Sequence, residues 1–88
     1  MVEGVVLVNV ERTQVAAVAQ MLVDLPGVTK VFSVGGRYDL VALLRLKSNE
    51  ELAELVTERL AVVEGIERTE TLVAFAVYSQ FDLERPFS

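Results

Sequence analysis

Two short stretches of the chain hold the residues best able to do chemistry. Gly35, Gly36, Tyr38 and Asp39 fall in the run Val34-Gly-Gly-Arg-Tyr-Asp-Leu40, and Thr69 and Thr71 flank Glu70. Adjacent glycines let the backbone approach a ligand and present its N–H groups. A carboxylate such as Asp39 accepts a charge-assisted hydrogen bond from an ammonium. Threonines two apart on a strand point their hydroxyls the same way. Tyr38 can wall a pocket or place its hydroxyl. Together these groups suit a small zwitterion, with an acceptor for its cation and donors for its anion. Each also has a structural alternative. The glycines make a turn, Asp39 caps turn backbone, the threonines favour strands and Tyr38 packs. Arg37, at the turn tip, reads as solvated.

Composition closes off other chemistries. Cysteine and histidine are both absent. Disulfides, thiol chemistry, zinc bound through His or Cys and imidazole acid–base catalysis therefore drop out. Only an all-carboxylate metal site remains open, and no cofactor is expected. The net charge is −5, with eight Lys and Arg scattered along the chain. Nucleic-acid binders gather such residues on one face, so no direct nucleic-acid contact is expected. Met1-Val2-Glu3 is not the basic start of a secretory signal. The apolar runs fall well short of a membrane span. A cytoplasmic location is the expectation, with no membrane partner. Glu50, Glu51, Glu54 and Glu58 read as the wet face of a helix, with Glu54 and Glu58 a like-charge pair at i,i+4.

The elements that must position these residues follow from periodicity. Val5–Val10 (VVLVNV) is β-branched and reads as a buried strand. Thr13 is placed to cap a helix carrying Val15, Val18, Ala19, Leu22 and Leu25 on one face, which Pro26-Gly27 stops. Val28–Val34 and Leu40–Leu46 form a hairpin around the glycine turn. Ser48 and Glu51 have capping-box spacing ahead of a second helix, with Leu52, Leu55, Val56, Leu60 and Val63 on its face and Gly65 at its end. Ile66–Tyr78 is predicted as one long final strand. The order β-α-β-β-α-β predicts an α+β, ferredoxin-like sandwich with both helices on one side of an antiparallel sheet. Leu25-Pro-Gly-Val-Thr-Lys30 and Val63-Glu-Gly-Ile-Glu-Arg68 echo each other as helix end, glycine and strand start. Residues 1–80 form the expected domain and 81–88 an irregular tail containing Pro86.

Alternation leaves a problem of coverage. Leu40, Ala42, Leu44 and Leu46 share one face of the third strand, but Val41 and Leu43 on the other are also apolar. The first and fourth strands repeat this pattern. Alternation read along the fourth strand places Phe75 with Leu43 on the side away from the helices. Two helices cover one face of a sheet, and an uncovered face should alternate with polar residues. With 52% hydrophobic residues and a mean hydropathy of +0.44, one small core cannot hide them all. A homodimer pairing two sheets face to face is therefore expected. The tail, which carries Glu84 and Arg85, is a poor alternative cover.

The run Val34–Leu40 resembles the central hairpin of the Lrp/AsnC ligand-binding domain, which has a small residue, Gly, any residue, an aromatic and Asp. Leu25-Pro-Gly-Val, Gly65-Ile66 and Thr69-Glu-Thr71 resemble further parts of that domain, in order and over nearly the whole chain. Gly35 stands where many members carry Thr or Ser, so it brings no hydroxyl. Met1 precedes the first strand by a few residues, so the likeness is to stand-alone members without a helix-turn-helix. The resemblance implies a non-enzymatic module of the dimeric α+β barrel type. Such modules pair through their sheets, join into rings and bind amino acids or similar metabolites between dimers. It also implies mixed oligomers with full-length regulators as a further option. Three alternatives stay open. One is an architectural oligomer with no ligand. Another is a small dimeric α+β barrel enzyme, which the lack of His and Trp disfavours. The third is an ACT-like domain, whose glycine is missing from Asn9-Val-Glu-Arg-Thr13.

Overall fold

In the computed structural model residues 1–80 are described; the expected tail, 81–88, lies outside the described residues. The strands are β1 (Val2–Val10), β2 (Val28–Ser33), β3 (Leu40–Leu46) and β4 (Ile66–Val73). Helix α1 spans Val15–Val23. Helix α2 spans Asn49–Glu54 and runs on through a π-helical turn, Leu55–Arg59, and a 3-10 turn, Leu60–Val62. The sheet order is β2-β3-β1-β4 with every pair antiparallel. This is the ferredoxin-like α+β arrangement read from the sequence.

One sheet face and the two helices share the core. Val6, Val8 and Val10 of β1 and Leu40, Ala42, Leu44 and Leu46 of β3 are buried. Against them pack Val18 and Leu22 of α1, and Leu52, Leu55 and Leu60 of the second helical stretch. Each Val or Leu side chain so removed from water contributes about 1.5–3 kcal/mol. The spacing of Val15, Val18, Ala19 and Leu22 keeps the apolar stripe of α1 on the sheet.

Neither Gly27 nor Gly65 is the helix-ending residue expected: α1 ends at Val23, capped by Asp24, and the second stretch at Val62, capped by Val63. Gly27 (φ +95°) and Gly65 (φ +99°) lie in the turns that lead into β2 and β4, where a left-handed backbone carries no Cβ penalty. Packing restricts both sites as well. A Cβ on Gly27 would lie 2.3 Å from Leu46 Cδ2, and one on Gly65 would lie 2.9 Å from Val18 Cγ2. Ser48 caps α2, its Oγ accepting from Glu51 N–H at 3.2 Å. The Glu51 carboxylate reaches back to accept from Lys47 N–H at 3.1 Å, one residue earlier than the usual capping box.

Three further expectations are corrected. Thr13 does not cap α1. It sits in a 3-10 turn, Arg12–Gln14, and its hydroxyl donates to Glu11 at 2.8 Å; Gln14 precedes the helix without a side-chain cap. The final strand ends at Val73, not Tyr78, where the chain parts from β1, whose Val2 and Glu3 run on past the last β1–β4 pair. Gly4 pairs with Val73, Ala74 N–H still reaches Glu3 O at 2.9 Å, and no further β1 residue pairs with the described chain beyond. The faces of β4 are also opposite to those expected. Val5 opposes Leu72 and Leu7 opposes Glu70, so Leu72 and Glu70 face away from the helices, while Thr71 and Val73 face the helix side. Phe75 therefore does not share the face of Leu43; it lies beyond the strand, fully exposed.

Candidate functional site

The hairpin between β2 and β3 is held onto the end of β1 by a set of hydrogen bonds. Val34 N–H donates to Asp39 O at 3.0 Å, and Asp39 N–H donates to Val8 O at 2.9 Å. The Asp39 carboxylate accepts from Val10 N–H at 2.8 Å. That N–H lies past the last β1–β3 pair, Val8 with Leu40, where no β3 carbonyl takes it up. Asn9 completes the clasp, its amide donating to Arg37 O at 2.8 Å. Asp39 thus ties the hairpin to the end of the neighbouring strand β1, beyond the turn-capping duty read from sequence. Among the described residues its second carboxylate oxygen accepts no hydrogen bond.

Gly36 sits at the tip with φ +124°, while Gly35 has no positive φ; the Cβ position at each meets open space. A ligand can therefore approach this backbone closely. Tyr38 reaches across β1 and its hydroxyl donates to Glu70 on β4. That bond, then partial desolvation and the Glu70 charge, hold the phenol's pKa above its ordinary range, against the pull of Arg68 and Arg37. Sequence reasoning misses Glu70. Its two-residue spacing groups it with Leu72, but only the pairing register puts that group on the open face, beside Tyr38.

Thr69 and Thr71 are not brought to the hairpin within one chain. They oppose Val8 and Val6, on the helix side of β4. Thr69 borders a groove with Val56, Leu60 and Val63 of the second helical stretch. Their hydroxyls do share a side, as the spacing requires. Gly36, Tyr38 and Asp39 instead cluster with Asn9, Arg68 and Glu70 at one end of the open face.

That face is apolar at its centre. Val5 and Leu7 of β1 and Val41 and Leu43 of β3 are half-buried by one another, with no helix above them. Phe32 on β2 is 45% exposed and Leu72 on β4 is 48% exposed. Charged residues stand around the centre. Glu3 and Arg45 pair across one end, Arg68 and Glu70 lie at the hairpin end, and Lys30 sits 5.8 Å over the Phe32 ring. An apolar middle with a polar rim is the anatomy of a protein interface. No helix of the described residues is long and apolar enough to cross a membrane, and no cluster of acidic side chains among them is arranged to hold a metal.

Comparison with known proteins agrees with this architecture. The chain is 31% identical over 75 residues to the HTH-type transcriptional regulator FL11 of Pyrococcus furiosus, a match covering 85% of this chain and 49% of that protein. It thus spans about half the length of the curated relatives it matches. The crystal structure of TTHA0845 from Thermus thermophilus superposes with a TM-score of 0.85 at 46% identity, over 91% of this chain and 100% of that one. The regulator NMB0573 of Neisseria meningitidis, solved as a complex with L-Met, shares the fold with a TM-score of 0.74 at 13% identity, over 90% of this chain and 53% of that one. The profile of the Lrp/AsnC ligand binding domain matches residues 3–83, and the chain belongs to that family.

Proposed function

We propose that this domain is a small-molecule sensing and oligomerisation module that recognises an amino acid or a related metabolite. The observation that carries the reading is the open sheet face. Its centre of Val5, Leu7, Val41, Leu43, Phe32 and Leu72 would otherwise remain in contact with water. A second copy packed sheet to sheet covers it, and association of the resulting dimers into a ring extends the same logic to a larger oligomer. Mixed assembly with full-length regulators of the family uses the same face. The module acts by binding rather than catalysis, and a cytoplasmic site of action goes with it.

The ligand's place in this reading is the hairpin tip. Gly36 and Gly35 offer backbone, the second Asp39 oxygen offers an acceptor for an ammonium, and Tyr38 forms a wall. Thr69 and Thr71 join from a neighbouring subunit, since those of the same chain face the other way. The L-Met complex of the Neisseria relative supports an amino acid as ligand. A ligand that binds only the folded state must raise its stability. A thermal-shift screen of the twenty amino acids, run beside light scattering, tests both halves of the proposal. At least one amino acid should raise Tm at millimolar concentration, and the scattering mass should exceed that of one chain.

One observation favours a second reading, an architectural oligomer with no ligand. The Asp39 carboxylate already serves Val10 N–H, and the Tyr38 hydroxyl already serves Glu70. If no amino acid shifts Tm while the oligomer persists, this reading takes its place.

A further inference from the structure

The outer side of the helices carries an apolar groove that the sheet face and hairpin do not use. Met21 of α1, Leu25 in the turn after it, and Val62 and Val63 at the end of the second helical stretch give it an apolar lining. Val62 is 77% exposed and Met21 43%. Asp24, Glu54, Glu58 and Arg59 form its rim.

The rim is electrostatically unfinished. Asp24 caps the C-terminal end of α1, where a carboxylate meets the negative end of the helix dipole, and no basic residue stands in that last turn. Glu54 and Glu58 are like charges four residues apart, a mildly unfavourable pair. Among the described residues Arg59 answers only Glu54, at 3.9 Å, with both side chains about half exposed, and exposed pairs of this kind contribute little. Locally unfavourable charges beside exposed apolar side chains are local inconsistencies of the kind found at functional sites.

We propose that this groove docks an amphipathic helix of another protein, apolar along one face and carrying Lys or Arg on its flanks. The apolar residues come from the ends of two helical elements with charged residues beside them, which suits helix-in-groove recognition. Cationic flanks relieve Asp24, Glu54 and Glu58 together. A second copy of this chain fits less well, because two-fold pairing of this groove on itself sets carboxylate rim against carboxylate rim.

The test uses a fluorescein-labelled leucine–lysine peptide of about 14 residues, read by fluorescence anisotropy near physiological salt. Saturable binding in the micromolar range is expected, and a leucine–glutamate peptide of the same length should not bind. Val62→Asp removes apolar contact while adding negative charge, and should weaken binding roughly tenfold. Glu58→Lys should weaken it by a similar factor, and both variants should melt within a few degrees of wild type. No saturable binding, or binding unchanged in both variants, overturns the proposal. Tighter binding by Val62→Asp overturns it too, since that marks simple attraction to a polyanion. If Val62→Asp lowers the mass seen by light scattering, the groove holds a second copy and the proposed occupant is wrong.

Discussion

Replacing Asp39 by Ala separates the residue's structural duty from any role in binding. The structure assigns its carboxylate to Val10 N–H at 2.8 Å, and Val10 is only 5% exposed. Water cannot readily replace the lost acceptor there. A hydrogen bond to a charged group contributes about 1.5–3 kcal/mol, and an orphaned donor costs a similar amount. In a domain of this size each kcal/mol moves Tm by about 4–8 °C, so Asp39→Ala should lower the ligand-free Tm by roughly 10 °C or more. Asp39→Asn keeps a neutral acceptor oxygen and should lose about half as much. Protein concentration must be held constant, because association contributes to apparent stability. Ligand-free unfolding of the Ala variant within about 0.5 kcal/mol of wild type would refute the clasp. Calorimetry with any amino acid found by screening adds the second half. Loss of affinity beyond the loss of stability marks Asp39 as a ligand acceptor, and unchanged affinity removes it from the site.

Other outcomes follow from the same geometry. Gly27→Ala should cost more than about 1 kcal/mol, because φ is +95° and the new Cβ meets Leu46, whereas Gly35→Ala should be nearly neutral in unfolding experiments. Leu22→Ala, at a fully buried site, should cost about 2–5 kcal/mol in urea titration. Tyr38 should ionise above the ordinary tyrosine range by ultraviolet absorbance, and Glu70→Gln should bring it down. Because folding favours the neutral phenol, its contribution is complete below the ordinary tyrosine pKa and disappears as pH rises through the raised value. No gel shift on duplex DNA is expected from this chain at physiological salt, since phosphate contacts require clustered cations and the net charge is −5.

Local chemistry was legible in the sequence and long-range pairing was not. Ser48 and Glu51 act within a few residues, and their types state their duties. The hairpin was equally local. Thr13 failed because its hydroxyl found Glu11 first, and side-chain bonds of that kind compete with capping. The end of β4 depends on where the chain parts from β1, which no run of residues in β4 records. Alternation groups Thr71 with Val73 but does not say which group meets the helices. That was set by the register of Val5 with Leu72 and by the shift at Asn9. The same register placed Thr69 and Thr71 away from the hairpin and brought Glu70 to Tyr38. Asp39 stands out by its type and position, but its partner lies 29 residues away, beyond local reading.

The sheet-to-sheet assembly is central to the account, and light scattering of the ligand-free protein at low micromolar concentration tests it most directly. Wild type should show at least twice the mass of one chain with no folded monomer, and Leu43→Asp, which sets a charge in the middle of the open face, should dissociate or unfold. A stable, folded wild-type monomer would contradict the account.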